Sequence, residues 1–281
     1  IDPPAAPVFQ NPPADITVDC SSIPTGAPDL SYTNNESGTC LVAGTVPAIQ
    51  SGSGDICGGV ITYMWNFTDP CGNTISHTQN VTIDPAPAPI FQNPPADLNV
   101  SCDNIPTGAP DLTYTNNAAG ACLVSGSVPA VQSGSGSQCG GQIIYTWTFT
   151  DQCNNTITHV QTITIDPPAV PVFQNPPASI TVDCNNIPTG APDLSYTNNE
   201  SGSCLFAGTV PAIQTGSGDI CGGTITNTWT FTDPCGNTIS HVQTITIDPA
   251  PAPTFVNPPP DITVNCDNIP TSAPPLVYSN N

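Results

Sequence analysis

The feature that most constrains this chain is a strict period of 82 residues carried by its cysteines. Cys20, Cys102, Cys184 and Cys266 follow that step, as do Cys40, Cys122 and Cys204, then Cys57, Cys139 and Cys221, then Cys71, Cys153 and Cys235. Residues 1–82 and 165–246 are identical at 68 of 82 positions, with no insertion. The 281 residues therefore divide into repeats 1–82, 83–164 and 165–246 and the beginning of a fourth, 247–281. Solenoid units of ~20–50 residues must share one core with their neighbours, whereas a unit of this length with four cysteines is large enough to be a small domain. The odd thirteenth cysteine, Cys266, is the first of the fourth repeat, so its partner is expected beyond residue 281 in a longer chain.

Within each unit the apolar pattern has the period of a strand. Ile61, Tyr63, Trp65 and Phe67 alternate with Thr62, Met64, Asn66 and Thr68, and Ile143, Tyr145, Trp147 and Phe149 repeat the pattern. In the third copy Asn227 replaces the tyrosine between Ile225 and Trp229. Ile75, Val81 and Ile83 share a parity with His77 and Gln79, which predicts a second strand with those polar residues on its inner face. Asp69-Pro70-Cys71-Gly72 between them is type I turn chemistry, and Asn154 in place of the glycine is tolerable because Asn enters the left-handed region.

Upstream, Ile16, Val18 and Cys20 predict a short strand, Leu30 and Tyr32 another, and Leu41 to Val46 a third that Pro47 ends or confines to an edge. Ser51-Gly52-Ser53-Gly54 is expected to be a loop. No stretch has helical periodicity with a cap. The expected fold is all-β: tandem immunoglobulin-like antiparallel sandwiches joined by semi-rigid linkers such as Asp84-Pro85-Ala86-Pro87-Ala88-Pro89.

Four cysteines per unit allow three pairings. An up-and-down trace puts Cys20 and Cys57 at one end of the sandwich and Cys40 and Cys71 at the other. The expected bonds are Cys20 with Cys57 and Cys40 with Cys71, and likewise Cys102–Cys139, Cys122–Cys153, Cys184–Cys221 and Cys204–Cys235. Cys20 with Cys71 would require the two ends to meet.

Composition then narrows the function. The chain has 21 Asp and Glu and no Lys or Arg, a formal charge of -21. It has no basic surface for phosphates, which removes nucleic acid and anionic membranes as electrostatic partners, and no cation for a phosphate loop, a Schiff base or an arginine clamp. No apolar run approaches the ~20 residues of a membrane helix, and no leader opens the sequence. Paired cysteines in this number place the chain outside the cell.

The run from Trp65 through Asp69, Cys71, Gly72 and Asn73 to Val81, with Pro13-Ala14-Asp15-Ile16-Thr17-Val18-Asp19-Cys20, resembles the hyalin-like (HYR-like) repeats of very large Bacteroidota surface proteins. That resemblance implies an immunoglobulin-type fold and a stalk within a secreted adhesin or filament. His77, His159 and His241 stand where animal hyalin repeats often carry a cysteine.

No catalytic, cofactor or metal site is expected. The histidines fall one per repeat and fit half-buried strand positions better than nucleophile partners. Calcium is the cofactor to weigh, yet no D-x-D-x-D-G loop occurs, and Asp84 and Asp69 fit strand-end and turn roles better. Sequons recur at Asn35 and Asn199, which permits but does not require glycosylation. The expected role is the shaft of a secreted surface filament or giant adhesin whose partners are further repeats or other copies of itself. The alternative is a multivalent binder of glycans or proteins through repeat loops.

Overall fold

The computed structural model describes residues 3–280, so Ile1, Asp2 and Asn281 at the outer edges of the first and last segments lie outside the described residues. The chain forms two compact units, one of residues 1–98, 106–135 and 142–164, the other of residues 99–105, 136–141 and 165–281.

In the first unit, the first repeat folds into strands β1 (Val8–Phe9), β2 (Ile16–Asp19), β3 (Leu30–Thr33), β4 (Ala43–Val46), β5 (Ile49–Asp55), β6 (Gly58–Thr68) and β7 (Thr74–Asp84), with a single 3-10 turn at Gly38–Cys40. They make two sheets, β1-β3-β4 and β2-β7-β6-β5. β6 and β7 pair antiparallel with Trp65 opposite His77 and Ile61 opposite Val81, the register that the shared parity predicts. Ile61, Tyr63, Trp65, Val81 and Ile83 are buried and pack with Leu30 of the facing sheet, while Tyr32 stacks on Phe67 at 3.7 Å between ring centroids. The Trp65 indole N–H donates to the Pro28 carbonyl at 3.1 Å, so the largest core side chain is anchored at its polar end.

The hairpin turn forms as its sequence dictates. Asp69 Oδ1 accepts from the N–H groups of Cys71 and Asn73, and its Oδ2 from the Asn73 amide. Gly72 has φ 89°, and Asn154 takes the same left-handed role at φ 64°. β4 ends before Pro47 at the edge of its sheet, as expected.

Two features differ from the sequence expectation. β2 runs parallel to β7, Ile16 opposite Val81, so the four-stranded sheet is mixed. The Ser-Gly-Ser-Gly segment, expected as a loop, is the body of edge strand β5, paired with β6 from Ile49 opposite Met64 to Asp55 opposite Gly58. Its glycines are there for close approach. A Cβ on Gly54 would meet the Ile83 side chain, and Gly52, at φ 73°, lies against the Val60 carbonyl.

In the second unit the third repeat reproduces this arrangement. Ile180–Asp183, Thr238–Asp248, Gly222–Thr232 and Ile213–Asp219 form the mixed sheet, and Val172–Phe173, Leu194–Thr197 and Ala207–Val210 the other. Thr254–Val256 and Val277–Ser279 then pair antiparallel, repeating the first and third strands of a unit.

Candidate functional site

Several of the cysteines sit in aspartate-capped turns. Asp55 accepts from the Cys57 N–H at 2.8 Å, Asp69 from Cys71 at 2.9 Å and Asp219 from Cys221 at 2.7 Å. Asp19, beside Cys20, accepts from both the N–H and the hydroxyl of Ser21. At Asp19 and Asp69 such bonds favour the ionised carboxylate. The Ser21 hydroxyl holds the Asp19 carboxyl below the usual carboxylate range, and the Asn73 side chain does the same for Asp69. At Asp151 and Asp233 burial pulls upward, but hydrogen bonds from Asn155 and Asn237 and nearby N–H groups leave both below that range. A chain without cations thus uses many of its acids as turn caps.

The sequence trace places the cysteines at the correct ends but gives them the wrong partners. Register puts Asp19 opposite Asp84 and Asp55 opposite Gly58, so Cys20 and Cys57 flank one end of the mixed sheet, while Cys71 lies in the turn at the other. The structure does not join Cys20 to Cys57 or Cys40 to Cys71. In the first unit Cys20 bonds Cys122 and Cys57 bonds Cys153. In the second, Cys102 bonds Cys204 and Cys139 bonds Cys235. The first and third cysteines of one repeat join the second and fourth of the next, with Cα separations of 5.2 to 5.6 Å. The expected pairing fails because it treats each sandwich as closed, whereas the two cysteines at its leaving end face the entering end of its neighbour. Cys40, Cys71, Cys184, Cys221 and Cys266 are free thiols.

The linker is fastened as well as cross-linked. The Ala86 N–H donates to the Ile56 carbonyl at 2.8 Å, and Ala250 repeats the contact with Ile220. Asn116, buried, donates through one amide to the Pro87 carbonyl of the linker at 3.2 Å and the Cys122 carbonyl at 2.8 Å. Its Oδ1 accepts from Ala118 and Val124. One side chain therefore ties the linker to the loop that carries the bridging cysteine. Asn34 and Asn198 hold the equivalent positions. This role went unrecognised in the sequence, although the signal was present: Thr-Asn-Asn recurs in all three complete copies, its second Asn in the left-handed region at φ 56° to 58°. In the second unit Asp103 Oδ1 also accepts from the N–H and hydroxyl of Ser203, both at 2.6 Å.

The remaining candidates are absorbed by the fold. His77 Nε2 hydrogen-bonds the Pro13 carbonyl at 2.7 Å while its ring lies 5.8 Å from that of Trp65, and His159 and His241 are placed alike. Asp69 is occupied by its own turn, and Asp84 closes β7 beside Asp19. Among the described residues no group of three or more His, Cys, Asp or Glu side chains is arranged to hold a metal ion. Among the described residues no helix is long and apolar enough to cross a membrane.

No curated protein matches the chain. Among solved structures, extracellular cadherin domains 3–6 of protocadherin gamma B2 are 13% identical over 93% of this chain and 77% of their own, with a TM-score of 0.30. Domains EC22–24 of mouse cadherin-23 are 12% identical over 87% of this chain and 99% of theirs, with a TM-score of 0.31. The model of the HYR-like domain with four cysteines matches residues 8–83, 91–165 and 172–247. Disulfide-bonded tandem copies of that domain are those of an extracellular protein. With its cysteines, its tryptophan strand and its capped hairpin recurring in all three matched stretches, the chain belongs to the family of HYR-like domains with four cysteines.

Proposed function

We propose that this chain is a structural stretch of repeats, the shaft of a secreted surface filament or giant adhesin of the Bacteroidota kind, which carries tension and performs no catalysis. The observation that supports this reading is that the disulfides of the structure bridge successive repeats rather than closing a loop within one. Bonds of that kind add little to a domain's own fold but determine how far a pulled chain can lengthen. With the bridges closed, the shortest covalent path between the termini runs through residues 1–20, 122–139 and 235–281, roughly 85 residues at ~3.5 Å each, or about 300 Å. Reduced, all 281 residues extend, to about 1,000 Å.

Single-molecule stretching from the termini tests the proposal. The oxidised chain is expected to stop lengthening near about 300 Å and the reduced chain near about 1,000 Å. Bonds within repeats would leave about 173 residues on the path and an oxidised limit of about 600 Å, which would overturn the tension-bearing reading.

A further inference from the structure

The four bridges are not equivalent in what they hold. Cys20–Cys122 and Cys139–Cys235 set the reach of the chain, since Cys57–Cys153 and Cys102–Cys204 lie off the shortest covalent route between the termini. With Cys139–Cys235 open and the others closed, that route runs through residues 1–20, 102–122 and 204–281, about 119 residues in place of about 85. Opening Cys57–Cys153 alone leaves it unchanged.

Of the two bridges that set the reach, one belongs to a core and the other to the surface. Cys20 and Cys122 are each 6% exposed and pack in the apolar cluster with Leu30, Trp65 and Ala86. The cleft that leads to them is lined by the Asp19 and Asp84 carboxylates. Cys139 and Cys235 are only half-buried, because each sits in a tight turn between paired strands. Cys139 joins Val131–Ser137 to Gly140–Thr150, and Cys235 joins Gly222–Thr232 to Thr238–Asp248. A sulfur in such a turn is open to a reagent from solvent, whereas a core sulfur is reached only when the joint loosens.

Charge favours the same bridge. The species that attacks a disulfide is a thiolate, and here it must approach a chain of charge -21. A carboxylate beside the target sulfur lies well inside the ~10 Å over which charges act at 0.1 M salt. Cys57, Cys153 and Cys235 each donate a backbone N–H to an aspartate, Asp55, Asp151 and Asp233 in turn. Cys139 donates instead to the Ser137 hydroxyl at 3.2 Å. Of these four turn cysteines, Cys139 is the one with a neutral cap.

We propose that Cys139–Cys235 is a site of thiol–disulfide exchange for small-molecule thiols, and that its opening releases a fixed length of shaft. The release of length under load rests on the tension-bearing reading above. One thiolate attacks the Cys139 sulfur, the bridge breaks, and Cys235 leaves as a thiolate. A second thiolate attacks the reagent's sulfur in the mixed disulfide and frees the Cys139 thiolate. The bridge gains two electrons, its two sulfurs take up the two protons of the reagent thiols, and those thiols become one disulfide. Cys20–Cys122 and Cys102–Cys204 stay closed, so the repeats remain linked while the reach grows by about 34 residues, or about 120 Å.

The test uses the full chain with its free thiols first alkylated by iodoacetamide, so that no internal thiol exchanges. It is exposed to 2-mercaptoethanesulfonate, quenched with N-ethylmaleimide at intervals and mapped without reduction. Cys139–Cys235 is expected to open at least about tenfold faster than Cys20–Cys122. Chains quenched at that stage are expected to stop lengthening near about 420 Å in single-molecule stretching, against about 300 Å before exposure. Ser137→Asp gives Cys139 the cap that Cys57 already has. It is expected to slow the opening about threefold with 2-mercaptoethanesulfonate and not to slow it with cysteamine, whose ammonium offsets its thiolate. Opening of Cys20–Cys122 first or at the same rate, a limit that stays near about 300 Å once Cys139–Cys235 is open, or a Ser137→Asp chain that treats both thiols alike would overturn the proposal. A limit near about 600 Å before exposure counts against the shaft reading itself, whereas one near about 300 Å with Cys20–Cys122 opening first overturns this proposal alone.

Discussion

At the residue scale, the core is organised by a few large side chains whose roles are visible in the alternation of the sequence. Trp65 is 1% exposed and hydrogen-bonded, so Trp65→Ala is expected to cost about 3 to 5 kcal/mol in denaturant unfolding, through lost burial and the cavity left behind. Tyr63 and Tyr145 behave differently, because their hydroxyls are buried without a hydrogen-bond partner. Removing an unsatisfied hydroxyl should help, so Tyr63→Phe is expected to raise stability by about 1 kcal/mol in the same assay. The third repeat solves the problem another way. Asn227 donates to Gln243 at 3.1 Å and accepts from Gln214 at 3.2 Å, which explains how an amide is tolerated at a core tyrosine position. Asp69 predicts a pH effect of definite sign. Its carboxyl lies below the usual carboxylate range, so the stability it contributes is complete above that range and is lost as pH falls through its folded value. The advantage of the parent chain over Asp69→Asn, measured by thermal unfolding, should therefore be constant from neutral pH to about 5 and vanish in stronger acid. Comparing the two chains at each pH cancels the relief of repulsion as the charge of -21 is neutralised.

At the element scale, the hairpin and its register were legible because a period of two, a turn motif and three copies all agree. β5 was not, since Ser and Gly carry no strand signal of their own. It is a strand because β6 offers an open edge and because Gly54 lets Ile83 pack close beneath it. Gly52→Ala is expected to destabilise by more than about 1 kcal/mol, since its positive φ and the Val60 carbonyl both oppose a side chain. An unchanged denaturation midpoint would contradict this account of the strand. The parallel pairing of β2 was equally hidden. Alternation marks a strand but not its direction, and what fixes β2 lies outside it: His77 and Gln79 donate to the Pro13 and Ala14 carbonyls just before the strand, and Asp15 receives the Asn80 N–H.

At the scale of the whole molecule, the repeat itself was plain in the cysteine spacing, while the partners of the cysteines were not. Identical copies make a bond within a repeat and a bond one repeat onward equivalent in sequence, and only three-dimensional placement separates them. The residues that determine the choice are local and modest: aspartates that cap the cysteine turns, and Asn116, which fastens the linker to the Cys122 loop. Asn116→Ala should therefore loosen the joint before the domain, seen as faster reduction of Cys20–Cys122 with little change in far-ultraviolet circular dichroism. The account as a whole rests on disulfides that bridge successive repeats, and non-reducing peptide mapping of the intact chain tests it most directly. Because the chain has no Lys or Arg, the mapping needs a protease that cuts at acidic or aromatic residues. The predicted links are Cys20–Cys122, Cys57–Cys153, Cys102–Cys204 and Cys139–Cys235. Recovery of Cys20 bonded to Cys57, or of Cys122 bonded to Cys153, would contradict it.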